Sequence, residues 1–102
     1  MARTLKPVHP GEILREEFMK PLGLSMNRLA LELRVPVTRV ADIVNESRSI
    51  TAETALRLAR YFGNSPAFWM NLQTRYDLEK AEDECAAKVA RQVQPREAAP
   101  AR

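Results

Sequence analysis

Apolar positions along this chain recur with a helical period almost from end to end. Met26, Leu29, Ala30 and Leu33 fall at i, i+3, i+4 and i+7, which is one stripe down a helix. Val40, Ile43 and Val44 make a second stripe after Pro36. Upstream, Ile13, Leu14 and Phe18 form the apolar side of a first helix in HPGEILREEFMK. Pro10 stands early in it, where a missing N–H does no harm, and Glu12, Glu16 and Glu17 follow. Pro21 and Gly23 end it, and Ser25 caps the next helix. Downstream, Thr51 caps a fourth helix whose core stripe is Ala55, Leu58, Ala59 and Phe62, and Gly63 stops it. Ser65-Pro66 starts a fifth, with Phe68, Trp69, Leu72 and Tyr76 on one broad side and an extension over Leu78, Ala81 and Cys85. No alternating β-branched run and no Asn-Gly or Asp-Gly turn interrupts this order, so the pattern predicts an all-α fold of five helices.

The stretch Ser25 to Asn45, SMNRLALELRVPVTRVADIVN, carries the functional signal. Only Arg34 and Val35 separate its two stripes before Pro36 opens the next helix. A small residue, Ala30, stands where two steeply crossing helices must approach. A helix pair with so short a joint is the helix-turn-helix pattern, which sets its second helix in the DNA major groove. The turn itself departs from the pattern. Glycine is usual there because the chain adopts a left-handed conformation. Arg34 at such a point costs about 1 kcal/mol relative to glycine.

Composition narrows the class. At 102 residues the chain is one domain with one modest core. No 18-residue apolar run marks a membrane span and MARTLKPVHPGE lacks a signal-peptide core, so an intracellular, cytoplasmic protein is expected. The single cysteine, Cys85, permits no internal disulfide. A net charge of +3 is only mildly basic, but its distribution is uneven. Six arginines and no lysine lie between Ser25 and Arg60, whereas Asp77 to Glu84 holds five acids and one lysine. Arginine suits phosphate because its planar fork donates in pairs. Residues 1–8 are expected to be a flexible N-terminus, 9–92 the folded domain, and 93–102 a Pro/Ala/Arg-rich disordered tail.

With the helices placed, HPGEILREEF, VPVTRVADIVN, SITAETALRLARYFG and SPAFWMNLQTRYDLEKA together resemble the HigA-type antitoxins of the Xre/Cro-repressor helix-turn-helix class. The likeness runs from about His9 to Ala81. It implies a lambda-repressor-like DNA-binding domain with an extended C-terminal helix. It also implies a homodimer, a palindromic operator upstream of the protein's own operon, and a RelE/HigB-like toxin that cleaves messenger RNA. The alternative is a stand-alone Xre-family regulator with no toxin. Two positions depart from the family: Arg34 in the turn, and Ser49, where glycine often precedes Ile-Thr.

In this geometry the first residues of the second helix reach base edges. Val37 offers apolar contact to a thymine methyl, Thr38 donates or accepts, and Arg39 can take guanine O6 and N7 together. Asp42 can accept from a cytosine amino group or orient Arg39 through an i, i+3 pair. Asn27 and Arg28 before the turn, and Asn45 and Arg48 after the second helix, are the expected phosphate contacts. The blander readings stay open here. Val37 shares a stripe with Val40 and Val44, Arg39 can equally hold phosphate, and Arg57 and Arg60 suit a solvated or salt-bridged face.

Phe68, Trp69, Leu72 and Tyr76 suit the core, and part of that side suits an isologous dimer interface, since two recognition helices about 34–36 Å apart match one turn of duplex. The acids Asp77, Glu79, Glu82, Asp83 and Glu84 read as a solvated helix face or as a contact for a basic toxin. The N-terminal helix, with Glu12, Arg15, Glu16 and Lys20, is an equal candidate for that contact. An enzyme is not expected. His9, the one histidine, reads as a capping or loop residue, Cys85 as inert packing, and the three glycines as turn residues. No cofactor, metal, membrane or small-molecule substrate is implied.

Overall fold

The structure is a computed structural model and describes residues 5–97. Among them lie five helices and no strand. Helix α1 covers 10–22, α2 is Met26–Leu33, α3 is Val37–Val44, α4 is Ala52–Phe62 and α5 is Pro66–Gln92. Helices α2 and α3 pack on each other, α1 lies against α3 and α5, and α4 supports α2 and α5.

The helix starts follow from local chemistry. Ser25 Oγ accepts the Arg28 N–H at 3.0 Å, Thr51 Oγ1 accepts that of Thr54 at 3.3 Å, and Ser65 Oγ that of Phe68 at 3.1 Å. Each satisfies an N–H that the helix itself leaves unpaired. The ends are as regular. After α2, Val35 N–H reaches back to the Ala30 carbonyl at 3.1 Å; after α3, Ser47 N–H reaches Asp42 at 2.9 Å. Both closures need a left-handed residue. Arg34 (φ 60°) and Glu46 (φ 65°) supply it without being glycine.

Helix α1 holds a feature that the apolar pattern did not predict. Between Leu14 and Met19 it widens into a π-helical turn, with the Lys20 N–H bonded to the Arg15 carbonyl. Such a turn stacks residues four and five apart, so Leu14, Phe18 and Met19 all point inward. Phe18 meets Phe62 and Trp69, each at 4.9 Å between ring centres. The core beneath them contains Leu14, Leu29, Val40, Ile50, Ala55 and Leu58. Met26, expected on the inner stripe of α2, is 40% exposed.

Helix α5 is 27 residues long, about 40 Å at 1.5 Å per residue, and gives the molecule its 55 Å long axis. Its first half closes the core through Trp69. From Lys80 onward every described residue is exposed. Cys85 therefore does not pack as the sequence suggested. Glu82, Asp83 and Glu84 there lie at the surface, as expected, whereas Glu79 is partly buried and pairs with Arg75 at 3.2 Å. Among the described residues no helix is long and apolar enough to cross a membrane. The expected flexible N-terminus over 1–8 and disordered tail over 93–102 lie partly outside the described residues; α5 ends at Gln92.

Candidate nucleic-acid interface

Helix α3 is a short amphipathic rod. Val40, Ile43 and Val44 are buried, and the opposite face presents Val37, Thr38, Arg39 and Asp42. Val37 is 40% exposed, so it belongs to the outer face despite its register with Val40 and Val44. No side chain caps the first turn, where Pro36 is the N-cap. The free N–H groups and positive dipole end at such a turn suit a phosphate.

The far end of α3 is clamped. Gly11, in the first turn of α1, abuts the backbone carbonyl of Ile43 so closely that a Cβ there would collide with it. It is not the turn glycine that the sequence suggested. The Arg15 guanidinium donates to the Val44 carbonyl and lies 3.6 Å from Glu46. The loop after α3 is tied to α5 by Gln73. Its Oε1 accepts the Ile50 N–H at 2.7 Å, and its Nε2 donates to Ser49 Oγ at 3.3 Å and Asp77 Oδ1 at 3.0 Å. Gln73 is buried with its amide satisfied, and it fixes the loop that carries Arg48. The sequence contained a hint: Gln73 falls four residues after Trp69 on the inward side of α5.

Around α3 the predicted phosphate contacts are surface residues. Asn27, Arg28, Asn45 and Arg48 are all exposed. Arg28 pairs with Glu32 at 2.8 Å. Arg39 and Asp42 do not pair with each other, which was one of the two roles open to Asp42. Arg39 turns to Glu53 of α4 at 3.4 Å, while Asp42 holds Arg48 at 3.3 Å. The left-handed turn at Glu46 carries the chain back over the end of α3, and this return brings Arg48 to Asp42. Arg57 is salt-bridged as expected, to Glu53 at 3.1 Å, but it is not merely a solvated face. It also donates to the Leu33 carbonyl at 2.9 Å and so caps the end of α2.

The candidate interface residues on α5 separate into kinds. Trp69 is fully buried, with Nε1 donating to Asn64 Oδ1 at 2.9 Å. A side chain with no free surface cannot cover a second copy, so Trp69 is a core residue. Phe68 is 38% exposed, and Leu72 and Tyr76 are half-buried. These three, spaced by four, remain available along one line.

His9 has a structural role. It is the N-cap of α1, its Nδ1 accepting the Gly11 N–H at 2.8 Å, and its ring lies 4.8 Å from that of Tyr76, edge to face. Burial pushes its pKa below the ordinary value near 6.5; Glu46 and Asp77 oppose this and Lys80 adds to it. A pKa lowered by folding makes the folded state the poorer proton binder. The stabilisation is thus complete above about pH 6.5 and is lost as pH falls through the folded value. The urea midpoint should drop between pH 7.5 and 5. In His9→Asn, which keeps a cap acceptor without a titrating ring, that part of the drop should vanish. An undiminished drop would place the titrating group elsewhere.

Comparison with known proteins agrees with this geometry. The helix-turn-helix family profile matches residues 16–69. The solved structure of Pseudomonas aeruginosa antitoxin HigA with the higBA promoter superposes with a TM-score of 0.86 at 44% identity, covering 89% of this chain and 99% of that one. Antitoxin HigA-1 of Vibrio cholerae is 38% identical over 73 residues, 72% of this chain and 69% of the relative. The chain belongs to the HigA-type helix-turn-helix family. Within that family, names divide between antitoxin and regulator. A Haemophilus influenzae relative, 51% identical over 75 residues (74% of this chain, 70% of the relative), is named as a helix-turn-helix-type transcriptional regulator.

Proposed function

We propose that this protein is the antitoxin of a toxin–antitoxin pair. It neutralises a RelE/HigB-like, RNA-cleaving toxin and represses its own operon by binding operator DNA as a homodimer. The observation that carries the DNA reading is α3, an exposed polar face on a buried apolar stripe, clamped at its far end by Gly11 and Arg15. The Pseudomonas aeruginosa HigA structure, whose chain has this fold, contains a promoter. Val37, Thr38 and Arg39 are assigned to base edges; Asn27, Arg28, Asn45 and Arg48 to phosphates; Asp42 to orienting Arg48. Phe68, Leu72 and Tyr76 are assigned to the two-fold interface.

The phosphate assignment has a specific consequence. Arg48→Ala should weaken binding to operator and unrelated DNA alike, and lower the slope of log K against log salt by about one unit. An unchanged slope takes Arg48 out of the phosphate set.

Toxin binding rests on the HigA-type family and on charge. An RNA-cleaving toxin is expected to be basic, and the projecting half of α5 offers Glu84 and its acidic neighbours. The second reading, a regulator without a toxin, is favoured by the name of the Haemophilus influenzae relative. Co-expression with the neighbouring reading frame separates the two. Co-purification of a small basic protein, with restored growth, supports the antitoxin; no complex and no growth effect supports the stand-alone regulator.

A further inference from the structure

Two arginines and one carboxylate join the helices of the DNA-facing unit in a chain whose link to Arg39 nothing in the sequence pattern announces. Glu53 stands in the first turn of α4. Its Oε1 lies 3.4 Å from Arg39 Nη1, and its Oε2 takes Arg57 Nη2 at 3.1 Å. Arg57 Nη1 in turn donates to the Leu33 carbonyl at the end of α2. One carboxylate therefore links the recognition helix to the last residue of the helix before it. Arg57 is held by a backbone carbonyl and packed so that its Nε is buried without a partner. That makes the Arg57 end of the link the anchored one and Arg39 the movable one.

The Glu53 side chain is 60% exposed. Ion pairs so open to water add little to folding stability. The arrangement has a positional effect instead. Among the arginines around the two-helix unit, Arg39 is the most withdrawn, its side chain 28% exposed against 64% for Arg28 and 47% for Arg48. Glu53 engages one terminal nitrogen of Arg39 and leaves the rest of its fork open.

We propose that Glu53 is a positioning residue for sequence reading: it holds Arg39 back from phosphates and presents the remaining donors of its fork to a base edge. This rests on the proposed DNA reading by α3. Arg57 positions Glu53, and Arg39 alone of the three touches DNA. Without Glu53, Arg39 is free to extend to the nearest phosphate, so discrimination falls while general affinity rises.

The test is a cycle of Glu53→Gln, Arg39→Ala and the double variant, each titrated by fluorescence anisotropy with DNA from upstream of the protein's own gene and with a scrambled duplex. Glu53→Gln should lower the ratio of operator to scrambled affinity about tenfold, raise affinity for the scrambled duplex, and steepen its salt slope by about one unit. With Arg39 already alanine, Glu53→Gln should leave the ratio unchanged, because the simple removal of a negative charge acts on both duplexes equally. A wild-type protein that binds both duplexes alike sinks the DNA reading itself. A wild type that discriminates, with a ratio unmoved by Glu53→Gln or moved equally in the Arg39→Ala background, overturns the role of Glu53 alone.

Discussion

Gly11→Ala should melt roughly 12–24 °C below the wild type, although alanine is the better helix former. The two effects oppose each other. Helix propensity favours alanine by about 1 kcal/mol at an interior position, and by less in a first turn. Against this, the new Cβ lands on the backbone carbonyl of Ile43 and within 3.1 Å of His9 Nδ1. Neither neighbour is the loose end of a flexible side chain. Overpacking usually costs about 1–3 kcal/mol, and a backbone obstacle belongs at the upper end or beyond. At about 4–8 °C per kcal/mol for a domain of this size, a net cost near 3 kcal/mol gives that fall. The strain falls on the last turn of α3, so operator binding should weaken even at temperatures where the variant is still folded. Melting followed by far-ultraviolet circular dichroism checks the first part. A variant within about 2 °C of the wild type would mean that α1 does not seat against the recognition helix in this way.

Leu72→Asp should give a monomer whose operator affinity falls by about 10²–10⁴-fold, because a dimer gains that much by making its second half-site contact intramolecular. The residue lies with Phe68 and Tyr76 on the line proposed for the two-fold interface. Leu72 also packs against the core, so loss of dimer could be confused with loss of fold. Phe68→Asp resolves this. Phe68 is 38% exposed and sits at the edge of the aromatic cluster, 5.9 Å from the Phe18 ring centre and 5.0 Å from that of Trp69. A folded, monomeric Phe68→Asp protein that binds a half-site but not the full operator tightly would support the interface. Dimers that persist in both variants would move it off this face of α5.

Most of the fold was legible because it is written in local rules. Ser25, Thr51 and Ser65 announce helix starts, Gly23 and Gly63 announce ends, and the stripe at Leu29, Ala30 and Leu33 has its helical spacing. What escaped depends on residues far apart in the chain. The π-helical turn in α1 answers to Phe62 and Trp69, which the sequence places more than forty residues away. Gly11 was mistaken for a turn residue because its neighbour, Ile43, is distant in sequence. In the same way helical spacing offers Asp42 as one partner for Arg39, whereas tertiary packing gives each a different one, Glu53 and Arg48. Trp69 and Phe68 are adjacent on the same helix, yet one is core and the other surface. Trp69 packs against Phe18 and Phe62 and donates to Asn64, partners that only the folded chain brings together.

The central claim is that α3 reads the sequence of the protein's own operator. Its most direct measurement is an anisotropy titration of wild type and Arg39→Ala against that upstream DNA, with scrambled DNA as competitor. The wild type should prefer the upstream duplex by at least about 10³-fold. Arg39→Ala should lose about 1–3 kcal/mol of that preference, a factor of roughly 5–150, with little change on scrambled DNA. Equal wild-type affinity for both duplexes, or an Arg39→Ala protein with its preference intact, would contradict the account.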